Sequence, residues 1–267
     1  MDDRLRQVAD IAVAAGREIL DVYAGDFEVE TKGDGSPLTQ ADRRAHDLIY
    51  RQLRRLDPGI PVLSEESGAE AFARRLEWSQ LWLVDPLDGT KGFVNRNDQF
   101  TVNIALVEAG RPVLGVVYAP VKGNLYAAAG GGAFKVGPNG ARARIRVKKC
   151  SRHKVVMVAS RSHAGPLVEA YRARLAGQFD QVAITGMASS LKMCLVAEGL
   201  ADIYPRLSPT SEWDTAAAQC VLESAGGSLT TLCGEPLKYN KESILNPWFL
   251  AGGDPDFDWA ALARGLQ

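Results

Sequence analysis

Two carboxylates lie three residues apart in the run 85–90, whose sequence is Asp-Pro-Leu-Asp-Gly-Thr. The apolar stretch 81–84 before it predicts a buried strand, so Asp85 and Asp88 are expected where that strand ends. A proline fixes φ in the middle of the run, and a glycine permits a tight turn. Acids held this close repel one another, and a hard divalent cation with oxygen ligands would relieve that repulsion. Because the same residue types are common in ordinary turns, the run alone leaves both interpretations open.

Other segments could bring further carboxylates to the same place. Glu65 follows the apolar pair 62–63, and Asp214 lies where a helix is predicted to begin. A solvated loop acid and a helix N-cap are the alternative interpretations of these two residues. Small residues after Asp214 would let a metal or phosphate approach a helix N-terminus, which favours anions. Thr39 and Asp42 approximate a capping box, which is a purely structural role.

Cations and hydroxyl groups in the second half of the chain could bind an anion. Ser189 and Ser190 lie at a predicted helix start, followed by Lys192, and Arg206 follows a predicted strand. Together they could hold phosphate oxygens. The alternative is that the two cations are ordinary surface residues.

Composition limits the class of protein. The chain has 267 residues, of which 46% are hydrophobic and 24% charged, and a formal net charge of −1. This is globular composition, and it argues against a nucleic-acid-binding or strongly electrostatic membrane-binding protein. Four cysteines without CxxC spacing and only three histidines argue against a zinc cluster. Without a leader or a run of about 20 apolar residues, we expect a cytoplasmic protein. Peripheral association with the inner membrane is left open.

Hydrophobic periodicity predicts two differently organised lobes. Helices are predicted over 4–23, 39–56, 166–176, 189–199 and 214–225. Strands are predicted over 62–63, 81–84, 100–107, 113–118, 125–128, 155–159, 182–184, 201–204 and 228–231. Residues 32–37 are predicted to form a loop. We therefore expect an N-terminal α+β lobe with an antiparallel sheet over 1–150 and a C-terminal α/β lobe over 151–267.

The motifs taken together resemble one family. Thr-x-Ala-Asp at 39–42, Ser-Glu-Glu at 64–66, the run 85–90 and Trp-Asp-x-Ala-Ala at 213–217 occur in one order. That order is similar to the inositol monophosphatase superfamily of magnesium-dependent, lithium-sensitive phosphatases. Several stretches further resemble its bacterial 3'(2'),5'-bisphosphate nucleotidases, namely 62–66, 85–91, 100–106, 114–120, 160–163, 189–199 and 204–206. The resemblance implies a layered αβαβα sugar-phosphatase-like fold.

The chain also departs from these relatives. Gly92 stands where an acid is frequent, Ala218 stands where glycine is frequent, and Met187-Ala188 replaces a glycine-containing pair. None of these changes removes a residue of the implied metal site. They bear on substrate preference.

The resemblance implies a role for each motif residue. As ligands of two or three Mg²⁺ ions it implies the carboxylates of Glu65, Asp85, Asp88 and Asp214 and the main-chain carbonyl of Leu87. It implies that Asp42, Thr90 and Glu65 are catalytic and activate or orient a water molecule. Near the substrate it places Gly89, Thr90, His163, Ser189, Ser190, Lys192, Arg206 and Asp214.

The implied reaction belongs to sulfur metabolism. It is the magnesium-dependent removal of the 3'-phosphate from adenosine 3',5'-bisphosphate (PAP), giving AMP and phosphate, with the sulfonated analogue PAPS as a further substrate. Metal-activated water attack and inhibition by lithium are part of this expectation. One alternative is an inositol or sugar monophosphatase of the same superfamily, and another is a non-catalytic binding protein. The partner is a small phosphorylated nucleotide, and the oligomeric state is left open.

Overall fold

A computed structural model of the chain describes residues 2–33, 35–160 and 165–266. The helices are α1 (Asp3–Tyr23), α2 (Gln40–Leu56), α3 (Ala69–Arg74), α4 (Thr90–Val94), α5 (Pro166–Ala176), α6 (Leu191–Ala197) and α7 (Ala216–Ser224). The strands are β1 (Val29–Thr31), β2 (Pro37–Thr39), β3 (Val62–Ser64), β4 (Gln80–Asp88), β5 (Thr101–Glu108), β6 (Arg111–Ala119), β7 (Asn124–Ala129), β8 (Gly132–Val136), β9 (Arg142–Arg144), β10 (Val155–Ser160), β11 (Val182–Met187), β12 (Ile203–Arg206), β13 (Ser228–Thr231) and β14 (Phe249–Gly252). Short 3₁₀ helices occupy Arg75–Glu77, Glu212–Asp214 and Ala260–Ala263.

The elements form five layers. Helices α1 and α2 bury their apolar faces against one side of a seven-stranded sheet in the order β3-β4-β5-β6-β7-β8-β9. Helices α6 and α7 lie between the other side of this sheet and a five-stranded sheet in the order β11-β10-β12-β14-β13. Helix α5 packs on the outer side of the second sheet. The predicted αβαβα architecture is confirmed.

The strand pairing matches the expected character of each half. In the seven-stranded sheet β3 and β4 are parallel and all the other neighbours are antiparallel. The second sheet is mixed, because β10 pairs in parallel with β11 and β12 while β14 is antiparallel to its neighbours. Mixed pairing is common where crossover helices alternate with hairpins.

Strand β4 does not end where its apolar run ends. It continues through Asp88, so the prediction that the strand stops at 84 is wrong. Between Asp85, which pairs with Asn103, and Asp88, which pairs with Thr101, the register shifts by one residue. Such a bulge places an extra residue on one strand and re-aims side chains. The two acids are therefore held by a sheet and not by a free loop.

Most predicted elements are present, with some shifts. Strand β12 covers Ile203–Arg206 and not 201–204, helix α6 is shorter than 189–199, and Asp214 lies in a 3₁₀ turn before α7. The loop predicted over 32–37 ends early, because Pro37 already begins β2 and pairs with Thr31 of β1 in an antiparallel hairpin. Short elements such as α3, α4, β8, β9 and β14 had no sequence prediction, because few-residue segments carry little periodicity. Among the described residues no helix combines the length and hydropathy needed to cross a bilayer.

Candidate active site

Three acids from distant parts of the chain meet in one cluster, which we call the acidic cluster. Glu65 follows β3, Asp85 lies in β4, and Asp214 ends the 3₁₀ turn before α7. One carboxylate oxygen from each lies within 4.8 Å of those of the other two. The backbone N–H of Glu65 donates to the carbonyl of Val84 at 3.0 Å, which anchors this loop to β4. The cluster brings together three of the four acids that the sequence predicted as ligands.

The acidic cluster is electrostatically unfavourable without a bound cation. Burial and the neighbouring acids Glu65 and Asp88 raise the pKa of the Asp85 carboxyl well above its usual range. Burial, followed by repulsion from Asp88, raises the pKa of Asp214 to about 7. Burial also raises the pKa of Glu65. Close, partly desolvated carboxylates of this kind are the oxygen donors that hard divalent cations take. The donor set therefore fits a metal ion.

The fourth predicted acid, Asp88, is held next to the cluster by donors from the C-terminal half. Its Oδ2 accepts from the backbone N–H and the hydroxyl of Ser190, at 2.6 and 2.8 Å. Asn103 donates to the same oxygen at 3.3 Å and to the Ser190 hydroxyl at 2.8 Å. The same hydroxyl oxygen lies 2.9 Å from the main-chain oxygen of Asp214, which is a second acceptor for its single proton. Asp88 thus links β4 to the start of α6 and to the Asp214 turn.

The Thr39–Asp42 capping box is present and also reaches the active-site turn. Oδ2 of Asp42 accepts from the backbone N–H and the hydroxyl of Thr39 at 2.7 and 2.6 Å. Its other oxygen, Oδ1, accepts from the hydroxyl of Thr90 at 3.3 Å. That hydroxyl is also 3.2 Å from the carbonyl oxygen of Leu87. Burial raises the pKa of Asp42. The structural and the catalytic interpretation of Asp42 are therefore compatible.

Gly89 has a conformational reason to be glycine. Its φ is +96°, in the left-handed region, and a Cβ there would lie 3.1 Å from the carbonyl oxygen of Gln99. The turn into α4 depends on this freedom, since a side chain would be strained in φ and would crowd the backbone just before β5. Gly92, the departure from the family pattern, is also constrained, because a Cβ there would lie 2.7 Å from Oδ1 of Asn97. An acid at position 92 would require the Asn97 side chain to move.

Two polar residues of the site were not found from the sequence. Lys32, in the β1–β2 hairpin, donates to Glu65 Oε1 at 2.7 Å and also to Glu66. Although burial opposes it, the two carboxylates raise the pKa of this ammonium. Asn103 is 1% exposed in β5. A polar residue in the middle of the apolar run 100–107 was the signal for Asn103, whereas nothing local indicated Lys32.

Lys32 is expected to oppose cation binding, because its ammonium already neutralises Glu65. We expect Lys32→Met to tighten Mg²⁺ binding about fivefold. This change in Kd corresponds to about 1 kcal/mol, the free energy that a partly exposed ion pair contributes. Calorimetric titration without substrate measures this, with Lys148→Met, which loses a pair to Asp202 at 3.2 Å, as the matched control. Weaker binding in Lys32→Met would show that Lys32 supports the site instead.

A small pocket adjoins the acidic cluster. It has a volume of about 80 Å³ and is lined by Asp88, Ser189, Ser190, Lys192, Met193, Tyr204, Arg206, Thr210, Asp214, Thr215 and Phe249. Lys192 is 8% exposed, donates to the carbonyl of Ser189 at 2.7 Å and lies 5.4 Å from the Tyr204 ring centroid. Burial lowers its pKa to about 8. Arg206 donates to two carbonyls of the following loop, Ser208 and Pro209.

The structure thus brings the predicted anion-binding residues of the C-terminal half next to the acids that the sequence predicts as metal ligands. The hydroxyl oxygen of Ser189 is buried without a hydrogen-bond partner among the described residues, and the residue has a φ of +52°. A buried polar atom without a partner is costly and suggests a ligand contact. His163, also predicted to contact substrate, lies outside the described residues.

Asp214 is not the N-cap of helix α7. The N-cap is Thr215, while Asp214 is the third residue of the 3₁₀ turn and its Oδ2 accepts from the Ser211 N–H at 2.8 Å. Its capping interaction is therefore with a separate turn. This leaves the side chain facing the cluster instead of the α7 backbone.

Comparison with known proteins agrees with this geometry. The model of the inositol monophosphatase family matches residues 1–251. The chain belongs to the inositol monophosphatase family. It is 48% identical to the 3'(2'),5'-bisphosphate nucleotidase CysQ of Escherichia coli strain K12, over 92% of this chain and 98% of that protein. CysQ of Haemophilus influenzae is 38% identical over 97% of this chain and 96% of that protein.

A solved structure shows the same fold within this family. The crystal structure of CysQ from Bacteroides thetaiotaomicron superimposes with a TM-score of 0.83 and 42% identity, covering 95% of this chain and 98% of that one. The predicted resemblance to CysQ-type proteins is therefore confirmed. The acidic cluster is a candidate metal site in a chain of this family.

Proposed function

We propose that this protein is a magnesium-dependent 3'(2'),5'-bisphosphate nucleotidase that removes the 3'-phosphate of PAP, giving AMP and phosphate, with PAPS as a further substrate. The observation that carries the proposal is the acidic cluster beside a cation-lined pocket. Glu65, Asp85 and Asp214 converge within 4.8 Å, and Lys192 and Arg206 line the adjoining pocket. The CysQ relatives support the choice of substrate.

For the metal site, we propose that Glu65, Asp85, Asp88, Asp214 and the Leu87 carbonyl hold Mg²⁺. Two or three ions and inhibition by lithium are part of this proposal. When bound, magnesium would neutralise phosphate charge and lower the pKa of the attacking water. The carboxylates fit because they are hard oxygen donors whose mutual repulsion a cation relieves. Main-chain N–H groups of Gly89 and Thr90 are the proposed contacts to the scissile phosphate.

The proposed roles of Asp42 and Thr90 are orientation and proton relay. A threonine hydroxyl alone is too weak a base to activate water. The Thr90 hydroxyl lies 3.3 Å from Asp42 Oδ1 and 3.2 Å from the Leu87 carbonyl, and donation to either leaves the Thr90 oxygen a lone pair for a water molecule. Glu65 is proposed to hold the same water from the side of the acidic cluster.

For specificity, we propose that Ser189, Ser190, Lys192 and Arg206, with His163, bind the nucleotide. The second phosphate of PAP is remote from the chemistry and needs cations of its own. An inositol or sugar monophosphate lacks that phosphate, so a pocket with two cations favours the bisphosphate. We therefore expect inositol and sugar monophosphates to be poorer substrates than PAP.

The decisive measurement is phosphate release from PAP, PAPS and inositol monophosphate with Mg²⁺. We expect kcat/KM to be highest for PAP, and faster turnover of inositol monophosphate would contradict the proposal. Release from none of the three would instead favour a non-catalytic binding protein. Inhibition by added lithium is checked in the same assay.

Lys192 provides a sharper test of the nucleotide pocket. A lost charge-assisted hydrogen bond costs about 1.5–3 kcal/mol, so Lys192→Met is expected to lower kcat/KM for PAP about 10- to 150-fold. The loss for inositol monophosphate should be much smaller. Lys135→Met, which breaks a pair with Glu198 at 2.7 Å elsewhere, is the matched control. An equal loss of kcat/KM for both substrates would show that Lys192 does not determine the preference for PAP.

We further propose that the halves 1–150 and 151–267 are the two lobes. The seven-stranded sheet ends at Arg144, and the five-stranded sheet begins at Val155. A cytoplasmic location is part of this proposal.

A further inference from the structure

A partly buried polar network joins the turn that carries Asp214 to the N-terminal half of the chain. Its members, which we call the strap, are Arg75, Glu212, Asn240 and Lys241. The Glu212 carboxylate is 0% exposed and accepts from the backbone N–H groups of Asn240 and Lys241 at 2.6 and 3.1 Å. The Lys241 ammonium donates to the same carboxylate. Glu212 thereby fixes the loop at 240–241 to a position two residues before Asp214.

The other end of the strap is in the N-terminal half. Arg75, 5% exposed, follows α3, the helix after the Glu65 loop. Its guanidinium donates to the main-chain oxygens of Lys241 and Glu242. The Asn240 side chain donates back to the carbonyls of Arg75 and Trp78 at 2.8 and 2.9 Å. The strap is therefore continuous from the segment after Glu65 to the Asp214 turn.

The strap counteracts the electrostatic repulsion between the carboxylates of the acidic cluster. Glu65 and Asp85 come from the N-terminal half and Asp214 from the C-terminal half, so like charges repel across the junction. The Asp214 turn has only three residues, and the Ser211–Asp214 capping box closes it locally without tying it to the N-terminal half. Burying the Glu212 charge is expensive, and an apolar contact would close the same loop at lower cost. The presence of a buried carboxylate at position 212 is therefore explained by its role in fixing the position of the Asp214 turn.

We propose that the strap positions Asp214 against Glu65 and Asp85 for metal binding, and that Glu212 and Arg75 are positioning residues. This rests on the proposed role of the three acids as metal ligands. Residues that support a ligand through hydrogen bonds are known to alter metal affinity about 10- to 100-fold. The strap therefore sets how tightly the metal is held and leaves the reacting groups themselves unchanged.

The test measures Mg²⁺ affinity by calorimetry without substrate, together with urea unfolding and kinetics. Glu212→Gln and Arg75→Met are each expected to weaken Mg²⁺ binding about 10-fold or more. At saturating Mg²⁺, kcat should change by less than about threefold. Because both act through one network, the double variant should lose less than the sum of the two effects.

Asp202→Asn is the matched control. Asp202 is also a buried carboxylate, which accepts from the Val156 N–H at 2.7 Å and pairs with Lys148 at 3.2 Å. It lies at the start of β12, away from the acidic cluster. The control should lose stability to a similar extent and keep the wild-type Mg²⁺ affinity. Equal Mg²⁺ affinities in wild type, Glu212→Gln and the control would overturn the proposal.

Milder variants cover the case in which Glu212→Gln does not fold. Lys241→Met keeps the carboxylate with its two backbone donors, and Arg75→Lys keeps the charge but loses the two-pronged contact. Both should show a smaller loss of Mg²⁺ affinity, and no loss in either would overturn the proposal. Failure of the metal site itself is recognised separately, because Asp214→Asn would then bind Mg²⁺ as the wild type does.

Discussion

Replacing Asp85 with asparagine is expected to lower turnover strongly and to stabilise the metal-free fold at the same time. Asp85 is 1% exposed and faces Glu65 and Asp214. Loss of one proposed metal ligand should lower kcat by about 10³-fold, the upper range for removing a group that stabilises developing charge. Without metal, the same substitution removes a buried carboxyl whose ionisation the neighbours oppose. Activity and stability therefore change in opposite directions, as is frequent at functional sites.

The pH dependence of stability gives the second part of this test. The pKa of Asp85 is raised in the folded protein, and that of Asp214 is raised from 3.8 to about 7. Between the ordinary pKa of these carboxyl groups in the unfolded chain and their raised pKa in the folded protein, the folded state holds more protons than the unfolded state. The free energy of unfolding therefore falls as pH rises. In EDTA, the Tm of the wild type should fall from pH 5 to pH 8, and Asp85→Asn should fall less. Added Mg²⁺ should restore the wild-type Tm at pH 8 and have little effect on the variant.

The buried carboxylate Asp202 provides the contrast for this prediction. Since Asp202 is paired with Lys148, Asp202→Asn should lower the Tm and leave kcat within about threefold of wild type. A lower Tm of Asp85→Asn in EDTA at pH 8, or wild-type turnover in that variant, would contradict the assignment of Asp85 to a repulsive metal site.

Asp42→Asn is expected to lower kcat about 10²- to 10⁴-fold, the usual range for a lost group in general acid–base catalysis. The amide would either donate to the Thr90 hydroxyl or no longer accept its proton. In both cases the lone pair of the Thr90 oxygen would no longer be directed at the attacking water. Thr90→Ala should cause a similar loss, whereas Thr90→Ser should restore most of it because it keeps the hydroxyl group. Rates with PAP at saturating Mg²⁺ measure all three.

Asp42 also caps α2, and that structural role must be separated from catalysis. Cap loss costs about 0.5–2 kcal/mol of stability. Asp2→Ala is the matched control, because Asp2 caps α1 by accepting from the Leu5 N–H at 2.7 Å, far from the site. It should lose comparable stability with unchanged kcat. If Thr90→Ala and Thr90→Ser were equally active, a relay through this hydroxyl would be ruled out.

Much of the fold follows from local patterns. The apolar spacing of α1 and α2 and the alternation in β5 to β7 predicted these elements within a few residues, because a face that packs on a core must repeat with the period of its element. The continuation of β4 through Asp88 was missed, since a bulge depends on the register with β5 and not on local sequence. The hairpin of β1 and β2 was missed for a similar reason.

The same distinction holds for the site. The acids in the runs 64–66 and 85–90 and at 214 could be named as ligands from the order of motifs, because the chemistry dictates the residue types. Lys32, Asn103 and the strap around Glu212 could not be named as site residues. Their roles depend on contacts between residues up to 167 positions apart, such as Arg75 with Glu242.

By itself, the sequence determined the chemistry: a set of acids able to hold a divalent cation, a threonine and an aspartate suited to orient water, and two cations suited to phosphate. Local periodicity added the elements that carry them. Only the tertiary structure decided that Glu65, Asp85 and Asp214 converge while Asp88 is bound by Ser190, and that Lys32 pairs with Glu65. The physical reason is that residue type fixes what a side chain can bind, whereas distance, burial and repulsion exist only once remote segments are packed together.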